Sequence, residues 1–183
     1  MSKKIGIIIQ ARLTGKRFPN KVLSMLNGNT IISYVTNELK KIKGIPIVMA
    51  IPDNPMNDPL EVWCIMNDVK CYRSIFEHDV LGRFYYCANK YKFDIIVRVN
   101  GETPFIKAKD ILDNMMKFTY EKEKRMIYGN GSWVFNMDML RDAHRTQYHS
   151  TSREHVVRSM FNAVDYIDDI PRLEKYIKDG NVV

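Results

Sequence analysis

Four cations, Arg12, Lys16, Arg17 and Lys21, stand within ten residues around Gly15, directly behind the apolar run Ile5–Ile9. Arginine offers a planar fork to phosphate oxygens, and lysine acts as a mobile point charge. A glycine among them lets the backbone approach a ligand closely. At the end of a buried strand, such a loop is either an anion cradle or a solvated basic turn. Neither GxxxxGK[ST] nor GxGxxG is present, so the loop is neither a P-loop nor a dinucleotide fingerprint. A second cluster is Arg98-Val-Asn-Gly-Glu-Thr-Pro104. A carboxylate just after a strand-ending glycine, here Glu102, is either an ordinary turn acid or a group able to hold Mg²⁺ against substrate phosphates. Asn100 is either a turn former or an amide presented to a base edge. His144, His149 and His155 are spaced by five and six residues, which does not place them on one helical face for a metal.

Both clusters need positioning by the elements before them. Ile5–Ile9, Ile47–Ile51, Val69–Tyr72 and Asp94–Val99 read as short buried strands. Between them, 30–43, 60–67 and 80–91 carry helical spacing, with Thr30 as N-cap and Gly44 as stop for the first. This alternation predicts an α/β fold: a Rossmann-like, mainly parallel sheet with helices on both faces. Ligands of such sheets gather at the carboxyl ends of the strands. The polar clusters 10–21, 52–58 and 100–103 all follow strand ends, so topology alone gathers them on one edge. Further on, 110–124 reads as a helix, 127–135 as a turn and a short strand, and 137–146, 152–161 and 172–178 as helices.

The chain has 183 residues, 45% hydrophobic and 27% charged, with a net charge of +7. That length predicts a single domain over 1–183 with a sizeable core. The basic balance favours an anionic ligand, be it nucleic acid, nucleotide or sugar phosphate. No apolar stretch reaches the roughly 18–20 residues of a membrane span, and the N-terminal apolar run is too short for a signal peptide. A cytoplasmic protein with no membrane partner is expected. Cys64, Cys71 and Cys87 fit no zinc or redox spacing and read as thiols of a reducing compartment. The tyrosines at 72, 85, 86 and 91 read as packing residues.

Taken in order, IIQARLTGKRFPNKVL, AIPDNPMNDPL, HDVLGRFYYCA, VRVNGETPFI, GSWVFNMDMLRDA, SREHV and AVDYIDDIPRLEKYI resemble the sugar cytidylyltransferases. The resemblance is to the SpsF-like spore-coat polysaccharide branch, related to the enzymes that activate 3-deoxy-manno-octulosonate and acylneuraminate. The family opening is approximately Q-A-R-x-x-S-x-R-x-P-x-K, and Gln10, Ala11, Arg12, Arg17, Pro19 and Lys21 fit it. The resemblance implies CMP transfer from CTP to a sugar with release of pyrophosphate and with Mg²⁺ as cofactor. It further implies that Arg12 and Lys21 bind the triphosphate with Arg17 beside it. Glu102 and Asp165 would then hold metal, with Asn100 near the base. Gly15, Lys16, Asp53, Asp79 and Arg83 would lie near the nucleotide. A homodimer fits the resemblance, whereas nucleic acid is not an expected partner.

This chain departs from the pattern at several points. Gly15 stands where serine is usual, and Lys16 adds a cation. Glu102 replaces an aspartate, and a longer side chain in a site for an octahedral cation can cost around a hundredfold in rate if the backbone does not compensate. Lys107 stands where relatives often have an aspartate. The segment between REHV and VDYIDD is shortened, which trims the C-terminal part. A divergent nucleotide-binding protein with weak or no catalysis is the alternative reading, and basic nucleic-acid binding a third.

Overall fold

The computed structural model describes residues 3–15, 17–75, 77–121, 126–147 and 153. The four expected parallel strands are β1 (Ile5–Gln10), β4 (Ile47–Pro52), β5 (Lys70–Ser74) and β6 (Ile95–Asn100). Two antiparallel strands, β7 (Met126–Gly129) and β8 (Ser132–Asn136), extend the sheet to the order β5-β4-β1-β6-β8-β7. A small two-stranded ribbon, β2 (Met25–Leu26) with β3 (Asn29–Thr30), stands apart from it.

The pleat divides the core in two. Ile7, Ile9, Met49, Ile51, Val97 and Val99 point to one face, where they meet α1 (Ile31–Leu39), α2 (Asp58–Met66) and α4 (Ala108–Tyr120). Ile8, Val48, Ala50 and Ile96 point to the other, against α3 (Val80–Tyr91) and α5 (Met137–Thr146). Because both faces are covered, the central strands read as unbroken apolar runs, and Ile7, Ile8 and Ile9 are all fully buried. Full burial of side chains this size contributes about 1.5–3 kcal/mol each. No helix among the described residues is long and apolar enough to cross a membrane.

Several boundaries differ from the sequence reading; the helix expected over 110–124 is α4, which starts at Ala108 and ends at Tyr120. The first helix ends at Leu39 and not near Lys43, although Ile42 stays buried by packing from the turn that follows. Over 127–135 the expected turn and short strand are present, but a strand also precedes the turn: β7 and β8 form a hairpin across Asn130 (φ 45°) and Gly131 (φ 84°), a two-residue turn of positive φ. The helices expected over 152–161 and 172–178 lie outside the described residues, apart from Arg153.

The HDVLGR segment is a built helix start. Asp79 caps α3 by accepting a hydrogen bond from the Gly82 N–H at 2.7 Å. A Cβ at Gly82 would lie 2.3 Å from Asp79 Oδ2, so the cap requires glycine there. The Arg83 side chain that follows is fully buried.

Candidate functional site

β1 and β6 run side by side, with Gln10 paired in register with Asn100. The chain leaving β1 is tied at once: Gly101 N–H donates to the Gln10 carbonyl at 2.8 Å, and Leu13 N–H to Asn57 Oδ1 at 2.9 Å. Asn20, in the left-handed region at φ 57°, returns its N–H to the Leu13 carbonyl at 3.0 Å. The loop therefore closes on itself, which brings cations from its two ends together. They converge on a cavity of about 550 Å³. Its lining includes Arg12, Arg17 and Lys21 from the loop after β1, and Arg98, Asn100 and Glu102 from the end of β6 and the turn after it.

A relay of two amides ending on a carboxylate fixes this loop to the loops after β4 and β5. Asn57, fully buried, holds Leu13 and donates to Asn54 Oδ1 at 3.3 Å. Asn54 in turn donates to Glu77 Oε2 at 2.9 Å. The Thr14 hydroxyl, which lacks a well-formed bond of its own, and the Asn54 amide together hold the Glu77 carboxyl below the ordinary range, against burial. Beneath them Arg83 Nη2 donates to the Glu77 carbonyl at 2.6 Å. Burial, with Arg12 nearby, lowers the Arg83 pKa to about 10.

Inside the cavity, Lys21 Nζ lies 2.7 Å from Glu102 Oε2, and both side chains are more than a third exposed. Arg98 reaches across the strand ends, donating from Nη2 to Gln10 Oε1 at 2.9 Å and to Asn100 Oδ1 at 3.0 Å. Its pKa is lowered to about 10 by burial. Chemically, the arrangement offers polyanion binding through three cations, one carboxylate able to meet a divalent cation, and a pair of oriented amides.

The cytidylyltransferase family model matches residues 6–176. An uncharacterized protein of Methanocaldococcus jannaschii is 33% identical over 94% of this chain and 70% of its own length. The spore coat polysaccharide biosynthesis protein SpsF of Bacillus subtilis is 29% identical over 78% of this chain and 63% of its own. The chain belongs to the cytidylyltransferase family. Membership makes it a nucleotidyltransferase in class. A 3-deoxy-manno-octulosonate cytidylyltransferase of Cytophaga hutchinsonii is 34% identical over 61% of this chain, which spans 45% of that protein. Among solved structures, a cytidylyltransferase from Leptospira borgpetersenii superposes with a TM-score of 0.74 at 25% identity, covering 94% of this chain and 74% of that one. A CMP:2-keto-3-deoxy-manno-octonic acid synthetase complexed with CTP shares the fold, with a TM-score of 0.69 at 15% identity over 98% of this chain and 100% of its own.

For a cytidylyltransferase-family chain, the residues sort clearly. Gln10, Ala11, Arg12, Gly15, Arg17, Lys21, Asn100 and Glu102 all line the cavity. Three expected neighbours of the nucleotide do not. Asp53 accepts from Arg73 Nε at 2.8 Å, because β5 sets Arg73 beside the end of β4. Asp79 spends one oxygen on the α3 cap and the other on Arg153 Nη2 at 2.7 Å. Arg83 is sealed beneath the loop and not exposed in it. Lys16 and Asp165 lie outside the described residues. Sequence reasoning missed Thr14, His78 and Arg98 as lining residues. Arg98 is marked in the sequence only as a cation within an otherwise apolar strand. Lys107 also gains an account: it stands at the N-cap of α4 without capping, and Glu38 of α1 accepts from the Ala108 N–H at 3.2 Å.

Proposed function

We propose that the protein is a Mg²⁺-dependent cytidylyltransferase that transfers CMP from CTP to a sugar for glycan synthesis and releases pyrophosphate. The observation that carries this reading is the cavity at the β1 and β6 ends, where Arg12, Arg17 and Lys21 face a single carboxylate, Glu102, among the described lining residues. Cytidylyltransferase relatives that act on 3-deoxy-manno-octulosonate, and a relative in spore-coat polysaccharide synthesis, support CTP and a sugar as substrates. The donor set fits a cation that arrives on the triphosphate. Among the described residues no three acidic, histidine or cysteine side chains gather as a metal cage, and Mg²⁺ characteristically takes one or two carboxylates plus substrate phosphates.

In this mechanism Arg12 and Arg17 grip phosphate oxygens as forks, and Lys21 follows the charge of the leaving pyrophosphate. Glu102, with Asp165, would hold Mg²⁺, which when bound neutralises phosphate charge. Lys21 leaves Glu102 for the phosphates as the ligand enters, so the ion pair is exchanged and not lost. The closed loop holds the α-phosphorus in line with the sugar oxygen, and positioning of this kind carries most of the acceleration in phosphoryl transfer.

A thermal-shift panel of CTP, UTP, ATP, GTP and dTTP, each with Mg²⁺ or with chelator, tests the reading. CTP at a hundredfold its Kd adds about 2.7 kcal/mol, a rise of about 5–10 °C for a domain this size. A Mg²⁺-dependent shift for CTP, followed by pyrophosphate release with 3-deoxy-manno-octulosonate or another acidic sugar, is the expected result. No shift with any nucleotide would sink it. The second reading, a nucleotide binder without turnover, draws on the Glu102 side chain being one methylene longer than the family's aspartate. It holds if Glu102→Asp gains pyrophosphate release that the natural chain lacks. It fails if the natural chain turns over and Glu102→Ala loses at least about a hundredfold.

A further inference from the structure

Arg98 is a cation at the sheet's centre with a specific pattern of partners. Its Nη2 donates to both Gln10 Oε1 (2.9 Å) and Asn100 Oδ1 (3.0 Å). A guanidinium carries donors only, so this contact fixes which end of each amide faces it. Both carbonyl oxygens point to Arg98, and both amide nitrogens are turned from it. The two side chains stand next to each other, since Gln10 and Asn100 are register partners of β1 and β6, and both line the cavity.

The remainder of Arg98 is poorly served by the fold. Its Nε is buried without a hydrogen-bond partner, and its guanidinium lies 5.9 Å from the centroid of the Phe84 ring. A half-buried charge with an orphaned nitrogen costs stability that an apolar side chain would not. The two amide contacts are what the arrangement gains in return.

We propose that Arg98 is a positioning residue for nucleotide selection: it holds the carbonyl ends of Gln10 and Asn100 and so presents two neutral N–H₂ donors to a paired-acceptor edge of the base. This rests on the nucleotidyltransferase reading above. Cytosine offers adjacent acceptors at N3 and O2, whereas uracil turns the N3 position into a donor that opposes an amide N–H. Ala11, Val22 and Val80 line the same cavity and suit the faces of a flat ring. A site built on fixed donors rejects the ligand whose pattern is reversed, because a buried donor is left unpaired. A carboxylate on the sugar also offers paired oxygens, but two neutral amides suit a neutral edge better.

The test is calorimetric titration of the natural chain, Arg98→Met and Arg98→Lys with CTP, UTP and inorganic tripolyphosphate, all with Mg²⁺. Melting curves select variants that remain folded. In the natural chain CTP binds more tightly than UTP. In Arg98→Met, CTP weakens about tenfold, the loss expected of one well-formed hydrogen bond, while tripolyphosphate changes less than about twofold. The CTP-to-UTP ratio therefore collapses, and Arg98→Lys, which keeps a donor cation, restores part of it. A ratio unchanged in Arg98→Met overturns the proposal. So does a parallel fall for tripolyphosphate, which would make Arg98 a general electrostatic element. A raised KM for an acidic sugar with unaltered CTP binding overturns it in favour of the sugar. A natural chain that binds neither CTP nor tripolyphosphate defeats the functional reading as well, whereas normal binding with indifferent variants defeats this proposal alone.

Discussion

Two cationic corners share the carboxyl edge of the sheet and are built in opposite ways. At the end of β5, Arg73 donates from Nε to Asp53 at 2.8 Å and from Nη1 to Glu61 at 2.6 Å, with Asp58 at 2.8 Å. Its Nη2 goes to the Asn54 carbonyl at 3.1 Å. Burial would lower its pKa, yet the three carboxylates outweigh that and raise it. At the ends of β1 and β6 the balance is reversed: Arg12, Arg17 and Lys21 line a cavity with Glu102 as the single carboxylate among its described lining residues, while Arg98 is turned to the Gln10 and Asn100 amides. A cation surrounded by acids braces loops, whereas cations that outnumber the acids lining a cavity leave a positive potential for a ligand to neutralise. The overall charge of +7 does not separate the two; the local ratio does.

The comparison is tested most severely at Lys21. Lys21→Met should weaken CTP binding by about a hundredfold, or about 2.7 kcal/mol, by removing a charge-assisted contact to phosphate. Stability should change by less than about 0.5 kcal/mol, because an ion pair this exposed contributes little to folding. Titration calorimetry beside a urea melt reads both numbers, and a large loss of stability with intact binding would make Lys21 a brace. Arg73→Met should do the reverse. It leaves Asp53, Asp58 and Glu61 crowded without their shared cation, and should cost about 2 kcal/mol of stability, between the values for exposed and buried pairs. CTP affinity, measured on the folded variant, should stay within about twofold of the natural chain. A tenfold drop would bring Asp53 and its neighbours back into the binding site.

How far the sequence foretold these corners depends on what each residue needs around it. The sheet was legible because apolar runs and helical spacing are local signals, and the edge carrying the cavity follows from parallel topology alone. Asp53 misled because an acid at a strand end can face either a ligand or the next strand. Only the register placing Ile51 opposite Arg73 decides between them. Arg98 was overlooked because one cation in a strand has no local signature; its meaning lies in Gln10, 88 residues away in sequence. Asn57 carried no signal of its own in the sequence, because its hold on Leu13 reaches back across α1 and β4. The hairpin at Asn130-Gly131 was legible in principle, since Asn-Gly between apolar residues is a strong turn signal. Ile42 extended the first helix on paper because burial, and not helical geometry, sets the apolar period there.

The smallest expected effect lies where α3 meets α5, away from both corners. His144 stacks on Tyr85 with ring centroids 4.1 Å apart and sets its edge against Tyr86 at 5.3 Å. Its Nδ1 lies 2.9 Å from Arg153 Nη2, which also pairs with Asp79. Arginine can only donate, so Nδ1 accepts and the ring is neutral with its proton on Nε2. Burial and the Arg153 charge lower the His144 pKa, against the pull of Asp79. A histidine whose folded pKa is depressed binds fewer protons folded than unfolded. Its contribution is complete above the unfolded value of about 6.5 and is lost as pH falls through the folded value. His144→Phe keeps the stack but cannot titrate. The stability difference between natural chain and variant should therefore shrink between pH 7.5 and 5.5, by less than about 1 kcal/mol because the ring is only half-buried. A difference that stays constant across that range would mean His144 acts there only as an aromatic surface. The Asp79–Arg153 pair would then hold the two helices together without it.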